Sequence, residues 1–232
     1  MGVEVRKNNR KETPLTRERI LRAAVRLADR HGIEALSMRA LGGHLGREAM
    51  SLYNHVAGKD DLLDGIVDMV TVEIPLPGRD TDWREAMRLR AHSAREVFAR
   101  HPWAPRLIDS RLSSGPARLR YFEAVLGTLR RAGFSVQLAA RAMSLLDSYL
   151  YGFARQSLHF SAGSGGHART AEAFLQAFPA QDYPCLAEMA AAFAVPPGND
   201  EAEDFEFGLN LILDGLQNAL IADSRLSMRQ SR

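Results

Sequence analysis

The sequence predicts an all-α protein in two parts: an N-terminal three-helix domain built around a helix-turn-helix, and a connector helix leading into a larger helical domain. Three observations lead there. Residues 37–63, SMRALGGHLGREAMSLYNHVAGKDDLL, hold a short apolar-periodic helix, a Gly46 stop, a second short helix starting near Arg47, and a Gly58-Lys59 step into a third. From residue 82 onward every long segment repeats its apolar residues at helical spacing, with no alternating strand and no internal repeat. At 232 residues the chain is long enough to bury a sizeable core and to divide into a small and a larger domain.

The elements follow in order. Residues 1–14 are polar, carry Arg6, Lys7, Arg10 and Lys11, and read as a flexible basic arm. The first helix starts at Thr16 as N-cap, turns Leu21, Ala24, Val25 and Ala28 inward, and ends at His31-Gly32. Its outer face carries Arg19, Arg22, Arg26 and Arg30, a solvated or domain-facing surface. Ser37 caps a second helix over Met38–Leu45, and the third runs from Arg47 to His55, closing a domain over 15–58. A connector helix over 59–74 opens with Asp60 and Asp61 against the positive end of its dipole, and Pro75-Leu76-Pro77-Gly78 ends it. Asp60, Asp64 and Asp68 share a stripe, but carboxylates without a companion histidine read as a solvated face, so no metal is expected. Helices are then expected over 82–100, 104–110, 116–132, 135–160, 168–178, 184–193 and 201–223, in a body spanning 59–223 with a tail over 224–232. The glycine-rich run 161–166 follows a helix rather than a strand and reads as a loop, as does Pro196–Asp200.

Charge narrows the function classes. Residues 1–59 hold 12 Lys and Arg against 6 Asp and Glu, while the rest of the chain holds 18 against 22. A basic front on a mildly acidic body fits a nucleic-acid-binding domain attached to something else. The lone Cys185 excludes an intrachain disulfide and offers no metal-ligand spacing. No signal-peptide core or membrane span is visible, so a cytoplasmic location is expected. An enzyme would need a nucleophile–base or metal constellation; His92 and His101 stand nine residues apart without a third partner, so neither catalytic residues nor a resident cofactor are expected.

In the third helix Leu52 and Val56 fall on an inward stripe, and Arg47, Met50, Ser51 and Asn54 fall on the opposite side. That outward face is short, polar and basic. Leu36, Ser37, Arg39, Leu41, Leu45-Gly46, Leu52-Tyr53, His55-Val56, Lys59 and Leu62-Leu63 resemble the DNA-binding signature of the tetracycline-repressor (TetR) family of transcriptional regulators over roughly residues 15–75. The resemblance implies that Arg39, Arg47, Ala49, Met50, Ser51, Asn54 and His55 face base edges of double-stranded operator DNA, and that Tyr53, His55 and Lys59 hold phosphates. The side-chain chemistry agrees: Asn54 can pair with adenine, Ser51 serves several bases, Ala49 or Met50 touches a thymine methyl, and Arg47 forks onto guanine. Two departures stand out. Gly42-Gly43 replaces the family's more usual Ala and polar residue, at about 1 kcal/mol per glycine in a helix interior, so this helix either frays or packs very closely on a neighbour. Arg47 stands where relatives are often apolar or small.

The body carries the rest. In 135–160, Ala142, Leu145, Tyr149, Gly152 and Gln156 form one stripe and Met143, Asp147, Leu150 and Ala154 another. In 201–223, Phe205, Leu209, Ile212, Leu216 and Ala219 are joined by Phe207, Leu211 and Leu213. Helices with so little polar face need neighbours on two sides, and the family dimerises through two late helices; a homodimer through 135–160 and 201–223 is implied, with Gly152, Gly208 and Gly215 permitting close approach. The family's layout further implies an effector pocket for a small molecule near His101, Trp103, Leu107, Phe122, Met143, Asp147 and Tyr151, whose apolar walls and few polar groups suit a hydrophobic ligand. A homodimeric repressor released from a pseudo-palindromic operator is the expectation. A ligand-binding dimer or a nonspecific DNA binder without operator preference is the alternative.

Overall fold

The computed structural model describes residues 14–78, 80–111, 115–161, 181–194 and 201–230. The basic arm through residue 13, the helix expected over 168–178, the glycine-rich run beyond Ser161 and the Pro196–Asp200 break lie outside the described residues. Every regular element among the described residues is helical, in two compact units, Met1–Ile66 and Val67–Arg232.

In the first unit α1 (Arg17–His31) begins where the Thr16 hydroxyl accepts a hydrogen bond from the Arg19 N–H at 3.2 Å. It buries Ile20, Leu21, Ala23, Ala24, Val25, Leu27 and Ala28, a wider stripe than the four residues expected. One 3-10 turn (Ile33–Ala35) leads to α2 (Met38–Leu45), capped by Ser37, whose hydroxyl accepts from the Ala40 N–H at 3.1 Å. Gly46 ends α2 at φ 66°, a left-handed conformation that glycine adopts without strain. α3 is a single turn, Ala49–Leu52, shorter than the 47–55 helix expected. The Ser51 hydroxyl donates to the Glu48 carbonyl at 2.7 Å, which also accepts the Ser51 N–H at 3.0 Å. Three-residue bonds from Tyr53 to Met50 and from His55 to Leu52 then close the turn. α4 (Lys59–Thr71) continues out of this unit, and its Gly65 lets the Leu21 side chain approach so closely that a Cβ there would meet Leu21 Cδ2 at 2.6 Å.

In the second unit α4 ends at Thr71, three residues before the connector's expected end. α5 (Trp83–Arg100) starts at Asp82, whose carboxylate accepts from the Arg84 N–H at 2.9 Å and the Glu85 N–H at 3.3 Å. α6 (Ala104–Ser110) and α7 (Pro116–Arg131) follow, then α8 (Val136–Ser161), α9 (Pro184–Ala194) and α10 (Glu201–Gln230). α10 runs through most of the stretch read as a tail: no glycine or proline interrupts SRLSMRQ, so nothing stops the helix. α8 is central and packs against α5, α6, α7 and α10, burying Ala139, Ala142, Leu146 and Leu150. Its Tyr149 hydroxyl donates to the Phe205 carbonyl at 2.8 Å, and the bare backbone of Gly208 accommodates the ring. On α10 the buried set is Phe205, Leu209, Leu213 and Leu216, so Leu213 replaces Ile212 in the inward stripe. Polar side chains join α5 and α10: Arg84 pairs with Asp214, Arg88 with Glu206 at 2.8 Å, and His92 Nε2 lies 2.5 Å from Glu206 Oε1. Asp68, read from sequence as part of a solvated stripe, instead caps α7, accepting from the Ala117 N–H at 3.2 Å and the Arg118 N–H at 2.9 Å. No described helix is long and apolar enough to cross a membrane.

Candidate nucleic-acid interface and body cavity

The α2–α3 turn is held from below by apolar side chains and by one bare backbone. Leu36, Leu41, Leu52 and Val56 are buried. Gly42 is buried too, and a Cβ on it would meet the Arg47 carbonyl oxygen at 2.8 Å and the Ala49 nitrogen at 3.1 Å. Close packing therefore decides between the two fates open to Gly42-Gly43: α2 does not fray, because Gly42 lets the α3 backbone rest against it and accepts the Arg47 N–H at 2.9 Å. Gly43 has open space at its Cβ position.

The opposite side is bare. Met50 is 72% and Tyr53 46% exposed, and Asn54, Lys59 and Arg39 are exposed as well. Ala49, Ser51, Arg47 and His55 are half-buried. The fold thus gathers Met50, Ser51, Tyr53 and Asn54 on and just after one helical turn, with Arg47 in the turn before it and Lys59 opening α4. Ser51 has its hydroxyl hydrogen committed to Glu48, so it offers a base only its lone pairs. Tyr53 and Asn54 stand in the exit turn rather than within the helix.

A contact that the sequence did not reveal fixes this exit turn. Arg17 forks onto Asp61, Nη1 to Oδ2 and Nη2 to Oδ1 both at 2.6 Å, and its Nη1 also donates to the His55 carbonyl at 3.2 Å. Asp61 Oδ2 in turn accepts the Ala57 N–H at 2.8 Å. The hydrogen bonds to Arg17 hold the Asp61 carboxyl below the usual carboxylate range, and Asp61 raises the Arg17 guanidinium in return. The pair ties the start of α1 to the segment that presents Tyr53, Asn54 and Lys59. An arginine in a first helical turn and an acid in another each have an ordinary local explanation, so spacing alone does not couple them.

In the body a cavity of about 10 Å³, room for a single water, lies among α4 to α8. Phe122 and Tyr151 of the expected pocket line it, together with Thr71, Ile74, Phe98 and Tyr121, which the sequence reading did not single out. Asp147 does not line it but pairs with Arg90, which does. Arg90 is 3% exposed, donates from Nε to the Tyr121 hydroxyl at 2.5 Å, and has its charge set between that phenol and the Asp147 carboxylate. Burial acts against the Arg90 charge, and the Tyr121 oxygen and Asp147 more than offset it, so its pKa stands above the usual arginine value. Burial raises the phenols of Tyr121 and Tyr151, so both remain protonated donors at neutral pH. His101 and Trp103 lie elsewhere: they are buried with ring centroids 6.0 Å apart, and His101 Nε2 is 3.2 Å from Glu73 Oε1. Leu107 and Met143 are half-buried and do not line the cavity. Arg90 had one visible signal, a charge at an inner position of a helix whose other inner residues include Trp83, Met87, Ala94 and Phe98.

Comparison with known proteins places this architecture. Residues 20–66 match the family model for bacterial regulatory proteins of the tetR family, and residues 74–220 match the tetracyclin repressor-like C-terminal domain. The HTH-type transcriptional repressor DrrR1 of Streptomyces coeruleorubidus is 34% identical over 221 residues, covering 91% of this chain and 80% of that protein. The class A tetracycline repressor of Escherichia coli is 29% identical over 207 residues, covering 88% and 91%. Among solved structures, the TetR family protein ActR of Streptomyces coelicolor in complex with actinorhodin superposes with a TM-score of 0.76 at 31% identity, covering 89% of this chain and 97% of that one. With both halves matched and the helix-turn-helix face in place, the chain belongs to the TetR family and is a DNA-binding transcriptional regulator.

Proposed function

We propose that the chain acts as a homodimeric repressor that leaves a pseudo-palindromic operator when a small molecule enters the body. The observation that carries the DNA-reading part is the division of the 50–56 segment: Leu52 and Val56 are buried while Met50, Tyr53 and Asn54 are exposed beside Lys59. One such turn reads few base pairs, so specificity calls for two copies with recognition elements about one duplex turn, ~34 Å, apart. In this reading Asn54, Met50, Ala49, Ser51, Arg47 and Arg39 address bases, and Tyr53, His55 and Lys59 address phosphates.

Apolar surface on the two longest helices supports dimerisation. Phe207 and Leu211 on α10 are 69% and 58% exposed, Leu145 on α8 is exposed, and Gly152 and Gly215 face open space. A second copy laying its α8 and α10 against these would bury them. The similarity to ActR, which was solved with actinorhodin and with (S)-DNPA, supports a small-molecule effector. The effector acts by binding one body arrangement better than the other, tilting α4 and moving the reading turns out of operator spacing. The reading assigns no reaction to the chain, needs no resident metal or cofactor, and places the protein in the cytoplasm.

Selection of the purified protein on a random duplex library at fixed salt tests it. Enrichment of a pseudo-palindrome is expected. A folded dimer that enriches nothing would favour a ligand-binding dimer, and uniform retention of all sequences a nonspecific DNA binder.

A further inference from the structure

The body cavity has a polarity that its small volume hides. Among the described residues its lining holds two guanidiniums, Arg90 and Arg118, and no carboxylate; the other polar groups there are the Tyr121 and Tyr151 phenols and the Thr71 hydroxyl. Thr71 already donates to the Val67 carbonyl at 2.8 Å. Both phenols are kept protonated by burial. Arg118 donates from Nη1 and Nη2 to the Arg111 and Ile108 carbonyls at 2.9 and 3.1 Å, and its guanidinium lies 5.2 Å from the Phe122 ring centroid. Arg90 uses Nε on Tyr121 and Nη2 on Asp147, and no described residue accepts from its Nη1. A buried ion pair is by itself weak evidence of a stabilising role, since apolar residues of similar volume often serve as well. A charged side chain held inside at the edge of a cavity, with Nη1 meeting no acceptor among the described residues, can receive an acceptor from outside.

The remaining walls define what carries that acceptor. Phe98 and Tyr151 have ring centroids 5.7 Å apart, Tyr121 and Phe122 6.2 Å, and Ile74, Ala94, Ile108 and Leu150 complete the lining. Aromatic faces and branched aliphatics around a cationic floor suit a flat ring system with a negative oxygen at one edge. We propose that the effector site selects an aromatic carboxylate, with Arg90 Nη1 taking the ligand's carboxylate while Asp147 stays on Nη2. The inference rests on the effector reading above and names its ligand chemistry. The cavity has room for about one water, so binding of such a ring system requires side chains of the lining to turn aside.

The test is calorimetric titration of the full chain with benzoate, 1-naphthoate and anthracene-2-carboxylate, each beside its methyl ester. At least one acid is expected to bind about tenfold or more tightly than its ester, the difference made by a charged hydrogen bond. Arg90→Met with Asp147→Leu, which removes both charges together and so leaves neither stranded, is expected to bring acid and ester to equal affinity without loss of the thermal transition. Arg90→Lys is expected to retain part of the preference. Equal binding of acid and ester by the unaltered protein, no binding of any of the three acids, or an acid preference that survives the double variant would each overturn the proposal. Operator selection by the ligand-free protein separates the two levels: a recovered operator with no acid preference defeats only the ligand chemistry, and an Arg90-dependent acid preference without an operator defeats only the repressor reading.

Discussion

Arg17–Asp61 and Arg90–Asp147 are the same pair of residue types put to opposite uses. The first is partly exposed and geometrically complete: both Arg17 amines reach Asp61, one also reaches His55, and Asp61 spends its other contact on the Ala57 N–H. The second is buried and incomplete, with a single guanidinium contact to Asp147 and a phenol on Nε. Solvent weakens the first pair and makes it replaceable; the low-dielectric interior makes the second hard to break at one end only. The DNA-binding unit therefore uses a surface pair to fix a backbone turn, while the body keeps a charged pair inside, at the edge of a cavity.

Breaking the buried pair at one end gives the largest effect. Arg90→Ala or Asp147→Ala is expected to cost about 3–5 kcal/mol in denaturant unfolding, because the remaining charge is left buried and unpaired. Arg90→Met with Asp147→Leu should return to within about 1 kcal/mol of the unaltered protein. A double variant as unstable as either single one would show that the pair holds the body together.

Next in size is the bare backbone beneath the reading turn. Gly42→Ala places a Cβ against the Arg47 carbonyl and the Ala49 nitrogen, both backbone atoms that cannot rotate away. A loss of about 1–3 kcal/mol is expected from the overpacking, larger than the helix-propensity gain. Gly43→Ala, with open space at its Cβ, should instead stabilise by up to about 1 kcal/mol. Thermal melts of the two variants moving in the same direction would contradict the close approach of α3 to α2.

The surface pair comes third. Asp61→Asn removes the charge partner of Arg17 and is expected to cost about 1 kcal/mol, discounted for exposure. The Asp61 carboxyl is held below its ordinary value in the folded chain. Its stabilising contribution is therefore present above the unfolded carboxylate pKa, about 3.9, and is lost as pH falls through the folded value. The stability difference between Asp61→Asn and the unaltered protein should be constant near neutrality and vanish in acid. A difference that persists in acid would assign the effect to the Ala57 cap instead of the ion pair.

These contrasts also show how far the sequence reaches. Caps were legible because their chemistry is local: Thr16 and Ser37 announce α1 and α2, and Gly46 announces the stop. The inward placement of Leu52 and Val56 followed from period alone. What stayed hidden depends on partners distant in the chain or on how a short helix ends. α3 tightens into three-residue bonds after one turn, from Tyr53 to Met50 and from His55 to Leu52, and Asp68 leaves its expected solvated stripe to cap α7, 49 residues away. Of the expected pocket residues, Phe122 and Tyr151 line the cavity, because helical spacing indicates which face of α8 turns inward but not which neighbour it meets. Arg90 was the informative exception to a pattern, a charge in an apolar stripe, and such exceptions mark sites more often than the pattern does.

The smallest effect on stability belongs to Lys59, and it sharpens the contrast within the first unit itself. Arg17 and Lys59 are both cations near the exit turn, but Arg17 is committed to Asp61 while Lys59 is exposed at the first position of α4. Lys59→Ala should leave the thermal transition where it is, weaken binding to every duplex alike, and flatten the dependence of log K on log salt by about one per half-site, the signature of one lost phosphate contact. Arg17→Ala should do the reverse, lowering stability while changing the salt slope little, because its charge already has a partner. Measured side by side across a salt series, the two substitutions separate a cation that builds the reading surface from one that touches DNA. A salt slope unaltered in Lys59→Ala would remove it from the phosphate contacts.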